Sequence, residues 1–343
     1  MSHRVSFVAL VALVTLMCVA IASASAFAFD VAVLFPGTLG GNPLAAAIEA
    51  GVEAANALPG VSVKLVESPV TSRWEADLRT LAATGAYDLV VTFTAGMAPL
   101  VPRVASQFPN QKFALLDAEV EAILGNVVSV VYSDMELGFL AGVLAGLIAQ
   151  SPELGGSSRA SVGLISGDTY PNMDYQIKPG FIAGARYVNP GVQTRYAVVG
   201  DWADPITANE LAQNMYSTGT AVIFAVAGGG GSGIFNAARA AGKYAIGVNT
   251  NQNPEAPGVV LGSILKRIDN SVTAVIEQAA AGRLPYGTVE YLGLAAGAID
   301  IARDELYERH VPASVRERVE EVIQQARAGL LDIEALAFEA LEL

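Results

Sequence analysis

The chain has 343 residues, with 20 Lys and Arg against 33 Asp and Glu, a formal net charge of -13, two histidines and one cysteine. That balance excludes a nucleic-acid partner, because neutralising phosphates takes clusters of Lys and Arg, and a single cysteine excludes an internal disulfide framework. With 52% hydrophobic residues, the length is enough for two domains with sizeable cores.

Residues 1–28 have the three parts of a secretory signal peptide: His3 and Arg4 at the start, an apolar run over 5–22, and small residues before Asp30. The Ala-x-Ala pattern occurs as Ala24-Ser25-Ala26 and as Ala26-Phe27-Ala28; cleavage after the second is preferred and releases a chain starting at Phe29. Cys18 follows Leu16 and Met17 inside the apolar run, so acylation there is not expected. The longest later apolar run, 137–149, is Gly-interrupted and shorter than the roughly 18 to 20 residues of a membrane span. The expectation is an exported protein, in the periplasm or at the outer face of the cytoplasmic membrane, that meets the membrane only through a partner.

The mature chain alternates β-branched runs with amphipathic stretches. Strand 31–35, helix 43–57, strand 61–66, helix 74–84 and strand 89–94 come first, an order that calls for parallel strands with helices on both faces. A helix over 99–108 and strands 112–116 and 127–132 complete a first lobe. Helix 134–149 opens a second series of strand 161–165, helix 178–188, strand 194–199, helix 205–218, strand 221–227, helix 233–241 and strand 244–248. Strand 259–263, helix 269–281 and a charged helix over 313–329 follow. The fold class is therefore α/β, with the pattern of one lobe repeated in the other and the chain crossing between them more than once.

In open parallel sheets ligands sit beyond the carboxyl ends of the strands, so the residues just after each strand are the candidates. They include Phe35, Asn42, Thr94, Asp117, Tyr170, Trp202, Gly228, Gly230 and Asn249. Once His3 is removed His310 is the only histidine, and it lies in a charged stretch; a Ser-His-Asp arrangement and a His-based metal site are not expected. Carboxylate-only catalysis stays open through Asp117, Asp174, Asp201 and Asp204, all at strand ends. Gly228 to Gly233 satisfies G-x-G-x-x-G, but the ribose-binding acid due about 20 residues on is missing, since Val248, Asn249 and Asn251 stand there. What survives is a tight loop whose bare backbone lets a ligand approach a helix N-terminus. Trp74 has the spacing of a packing residue. Trp202 fits equally a ring that stacks on a planar ligand and one that packs between lobes. Lys266, taken alone, is a solvated lysine at a helix start.

Several segments taken together resemble a known family. They are Phe113-Ala114-Leu115-Leu116-Asp117, Gly138-Phe139-Leu140-Ala141-Gly142, the run from Gly180 to Pro190, Asp201-Trp202-Ala203-Asp204-Pro205, the glycine loop, Ile246-Gly247-Val248-Asn249-Thr250-Asn251-Gln252 and the run from Ser263 to Asp269. In that order and spacing the chain resembles the basic membrane protein family of ABC-transporter solute-binding proteins, which includes purine nucleoside receptors. The resemblance implies a type I periplasmic-binding-protein fold, two doubly wound parallel-sheet lobes joined by a multi-strand hinge, and delivery of a small ligand to an ABC permease and ATPase. It also implies that Asp117 meets a ring edge, Trp202 stacks, the Gly228 loop lines the cleft and Lys266 reaches ligand hydroxyls. Where the family has Asp-Lys-Ser-Phe-Asn, this chain has Gly41-Asn42-Pro43-Leu44-Ala45; where it has Gly-Val-Asp-Ser-Asp-Gln, both acids are the amides Asn249 and Asn251. The stretch from Asp174 to Gly180 and Val199-Gly200-Asp201-Trp202 also look like riboflavin-binding members.

The resulting expectation is an interlobe site for a nucleoside-like ligand, either a purine nucleoside or riboflavin, with no cofactor, no metal and no catalytic residue. In it Trp202 faces Phe35 or Tyr170 across the ring. Residues 29–132 with 250–285 form the first lobe and 133–249 with 286–343 the second. The rival readings are a carboxylate-dependent nucleoside or glycoside hydrolase and a sensory ligand receptor.

Overall fold

The computed structural model describes residues 28–157 and 161–342; the signal peptide expected from the sequence lies, up to Phe27, outside the described residues. The first lobe runs β1 (Phe29–Phe35), α1 (Pro43–Asn56), β2 (Val61–Glu67), α2 (Trp74–Ala83), β3 (Leu89–Phe93), α3 (Leu100–Ala105), β4 (Lys112–Leu116) and β5 (Val127–Tyr132). The second opens with α4 (Asp134–Gln150) and continues β6 (Ser161–Ser166), α5 (Lys178–Val188), β7 (Gln193–Val198), α6 (Pro205–Ser217), β8 (Thr220–Val226), α7 (Gly231–Ala241), β9 (Tyr244–Asn249) and β10 (Val260–Lys266). The remainder is α8 (Ile268–Ala280), β11 (Thr288–Leu292), β12 (Ile299–Ile301), α9 (Glu305–His310), α10 (Ala313–Arg327) and α11 (Ile333–Glu342).

Two six-stranded sheets result, ordered β11-β5-β4-β3-β1-β2 and β12-β10-β9-β8-β6-β7. Pairing is parallel throughout except where β12 runs antiparallel to β10 at one edge. Strands such as β3 and β8 are buried at every residue, as parallel strands covered on both faces must be. The two lobes and the doubly wound order agree with the sequence-based expectation.

The expected lobe boundaries need correction after Asn249. β10 was placed with the first lobe but extends the second sheet beside β9. β11 was placed with the second lobe but pairs with β5 in the first sheet. Between these strands α8 returns to pack on α1. Edge strands of five and three residues carry too little hydrophobic pattern to reveal their sheet. The chain thus crosses between lobes at residues 132–134, 266–268 and 292–299. These crossings touch one another: Ser133 N–H donates to Leu292 O at 2.8 Å and Arg267 N–H to Ala298 O at 2.8 Å, while the Glu136 carboxylate accepts from Leu294 N–H. They form the hinge.

α4 is apolar nearly all round, with residues 137–149 buried without a break, the mark of a core helix. It lies so close to α5 and to Ile177 just before it that a Cβ added at Gly138, Gly142, Gly180 or Gly184 would enter the opposing backbone. Two of the segments that carry the family resemblance, around Gly138 and Gly180, therefore serve the core of the second lobe. Among the described residues no helix is long and apolar enough to cross a membrane.

Candidate functional site

Thr94 after β3, Asp117 after β4 and Asn249 at the end of β9 are the non-glycine residues with left-handed backbone among the described residues, with φ of 74°, 65° and 68°. Such positions are uncommon for side-chain-bearing residues and concentrate at functional sites. Neighbouring strands hold two of them, since Thr94 N–H donates to Leu116 O at 3.0 Å and Asp117 N–H to Val130 O at 2.8 Å. All three were picked out by their place at strand ends.

The tips of the two sheets face each other. Lys266, at the end of β10, sends its ammonium across to Asp117 of the first lobe, Nζ to Oδ1 2.7 Å, and to Asp134 at the start of α4, 2.6 Å. Asn172 Nδ2 donates to the second Asp134 oxygen at 2.8 Å, and the Tyr132 ring lies 5.6 Å below the ammonium. Lys266 is 7% exposed and Asp134 4%, so this is a buried cluster of two carboxylates on one cation. Such a cluster is maintained only because each charge has a partner.

Burial alone would lower the Lys266 pKa, but Asp117 and Asp134 outweigh it and hold the lysine charged well above its ordinary range. Burial raises the Asp117 pKa; Lys266 pulls against that shift and the like charge of Asp134 adds to it. Burial, with the Asp134 charge next, pushes the Tyr170 phenol up, so it stays neutral.

The resemblance assigned Asp117 and Lys266 to different parts of a ligand; the structure pairs them with each other. Tyr170 does not stand opposite Trp202. Their rings touch on the same lobe, centroids 5.7 Å apart and tilted by 56°, which leaves no gap for a ring between them. Phe35 is 2% exposed and packs in the first-lobe core. Trp202 is 39% exposed; its six-membered ring rests on Gly167, where an added Cβ would lie 2.7 Å from Cδ2. Its carbonyl accepts from Gly230 N–H at 3.0 Å.

The glycine loop also has a packing role. Its bare backbone lets protein approach protein: a Cβ at Gly228 would meet Trp202 O at 2.9 Å, and one at Gly229 would come within 3.4 Å of Gly41 O on the opposite lobe. Asn42 caps α1, accepting from Leu44 N–H at 2.9 Å. The amide of Asn251 is taken by Asp304 at 2.7 Å, whereas the Asn249 side chain has no hydrogen-bond partner among the described residues. Three of the four acids considered for catalysis have local partners: Asp201 accepts from Ala203 N–H, Asp204 caps α6, and Asp174 pairs with Lys178 at 3.6 Å. Asp134 was not foreseen, and Asn172, though it lies in the loop after β6, was not singled out as a site residue. An acid after Ser133 at a helix start has the pattern of a dipole-complementing surface residue, and nothing local signals its burial.

Residues 28–329 match the family model described as "ABC transporter substrate-binding protein PnrA-like". The chain is 30% identical over 274 residues to the CD4+ T-cell-stimulating antigen of Listeria monocytogenes, covering 74% of this chain and 73% of that protein. It is 22% identical over 245 residues to the ABC transporter nucleoside-binding protein BmpA of Lactococcus lactis, covering 66% and 64%. A solute-binding protein structure from Aeropyrum pernix K1 superposes with a TM-score of 0.81 at 24% identity, covering 91% of this chain and 99% of that one. The last likeness concerns the fold. Together with the two facing sheets, the match over almost the whole described chain sets the hydrolase reading aside: the protein belongs to the Bmp family of ABC transporter substrate-binding proteins, which are not enzymes.

Proposed function

We propose that this protein is exported by its N-terminal signal and captures a nucleoside-like solute, a purine nucleoside or riboflavin, between its two lobes for delivery to an ABC permease and ATPase. The observation that carries the reading is the meeting of strand ends from both sheets: Asp117 of the first lobe against Lys266 of the second, 2.7 Å apart. The half-open indole of Trp202 and the unpartnered amide of Asn249 belong to the same set of strand-end loops. An aromatic face, a charged hydrogen-bonding pair and a free amide suit a solute that joins a planar heterocycle to hydroxyls. The family match and the name of the Lactococcus relative support the same class.

In this reading Trp202 stacks on the ring from one side, Asp117 and Asn249 meet polar edges and Lys266 reaches hydroxyls. Thr94, Asn42 and the Gly228 loop close the surroundings. Affinity comes from desolvating the ring and satisfying buried polar groups. Mass spectrometry of small molecules released when the purified protein is denatured tests it. A nucleoside or a flavin is expected, with a yellow preparation in the second case; release of a bare sugar or an amino acid alone would overturn it.

A further inference from the structure

The four polar groups of the buried cluster do not come evenly from the two lobes. Lys266 ends a strand of the second sheet. Asp134 begins α4, which packs against α5, β8 and β10 and so moves with the second lobe. Asn172, which holds the far oxygen of Asp134 at 2.8 Å, lies between β6 and α5. Asp117 alone comes from the first sheet. Any separation of the lobes must break the 2.7 Å contact between Lys266 and Asp117 while leaving the 2.6 Å contact between Lys266 and Asp134 intact.

We propose that Asp134, oriented by Asn172, is a positioning residue for ligand capture: the standing counter-ion of Lys266 that lets Asp117 be exchanged between Lys266 and an incoming solute. A buried ammonium stripped of every partner is strongly unfavourable. With Asp134 in place, opening leaves Lys266 paired and releases the Asp117 carboxylate to water or ligand. Without it, Asp117 becomes the only partner of Lys266 and opening would strand the charge. Asp134 also repels Asp117 across the shared ammonium, which further eases release. This role rests on the interlobe gap being the binding site, but the lobe motion it governs can be measured with no ligand present.

The test is hydrogen exchange in the full chain without ligand, followed at residues 228–230, which are half-buried to buried where Gly229 faces Gly41 of the first lobe. Their amides exchange when the lobes part. Asp134→Asn should slow exchange there about tenfold, the effect of losing a counter-ion needed only in the open state. Asp117→Asn should speed it, and Asp134→Glu should restore the parent rate. A residue with a merely structural role would, when replaced, loosen the protein and raise exchange. Faster or unchanged exchange in Asp134→Asn overturns the proposal. Should that variant not fold, Asn172→Ala must give a smaller shift in the same direction, and an unchanged or faster rate there overturns the proposal equally. Separate titrations with inosine and with riboflavin address the ligand class; their failure would sink the proposed function while leaving the exchange result decisive for Asp134.

Discussion

Asp117 and Asn249 occupy corresponding places in the two lobes. Each ends the third strand of its sheet, β4 in one order and β9 in the other, and each holds a left-handed backbone, with φ of 65° and 68°. The fold thus builds the same strained platform twice. What differs is the side chain and its company: the carboxylate is engaged by Lys266 from across the gap, while the amide has no partner among the described residues. A repeated architecture sets where a side chain is presented, and residue identity together with the opposite lobe sets whether it is occupied.

The largest effect that would break this contrast is Lys266→Met. It leaves Asp117 and Asp134 buried together without a cation, and unfolding in denaturant should show a loss of about 3–5 kcal/mol. Next, Trp202→Ala removes the half-exposed aromatic beside the glycine loop; affinity for whichever of inosine or riboflavin binds should fall by about 2–4 kcal/mol in calorimetry, and unchanged affinity would remove Trp202 from the site. Smaller is the glycine pair at the two corresponding positions. Asn249→Gly relieves a left-handed residue at the cost of chain entropy and should stay within about 1 kcal/mol of the parent. Asp117→Gly, with the same backbone, should destabilise by more because it removes a partner of Lys266. Equal effects at the two positions would show that the contrast does not matter.

The smallest signal is in the pH dependence. Lys266 has a folded-state pKa above its ordinary 10.5, so its contribution is complete below 10.5 and is lost as pH rises through the higher folded value. Asp304 goes the other way. Although burial opposes it, hydrogen bonds from Asn251, Tyr307 N–H and Asn253 hold its pKa below 3.8, so its contribution is present above 3.8 and is lost as pH falls below that. The melting temperature should therefore be level between these limits with respect to both groups and decline outside them. Abolishing the alkaline decline by Lys266→Met, but not by Asn249→Gly, would sharpen the comparison.

Most elements were legible because periodicity reports which faces are buried. The helices beginning at Pro43, Trp74, Asp134, Lys178 and Pro205 start where the apolar spacing and cap residues place them. β11 and β12 were not legible, being short edge strands, and the five-residue π-helical turn Met173–Ile177 left no periodic trace. Of the site, Thr94, Asp117, Asn249 and Lys266 could be named from their place at strand ends or from the resemblance. Their pairing could not, because Lys266 and Asp117 are 149 positions apart in the chain and only the closure of one lobe over the other brings them together.

The order of strands and helices alone dictates two doubly wound α/β lobes, since consecutive β-α-β units can bury both faces of a sheet in few other ways. Composition and the match of motif spacing to one family narrow the chemistry to ligand binding. Only the tertiary structure decided which sheet β10 and β11 join, that the glycine segments of α4 and α5 serve close helix packing, and that Asp134 and Asn172 are buried beside Lys266. The physical reason is range: hydrophobic periodicity is a property of neighbouring residues, whereas desolvation and charge pairing between two lobes depend on which distant surfaces meet.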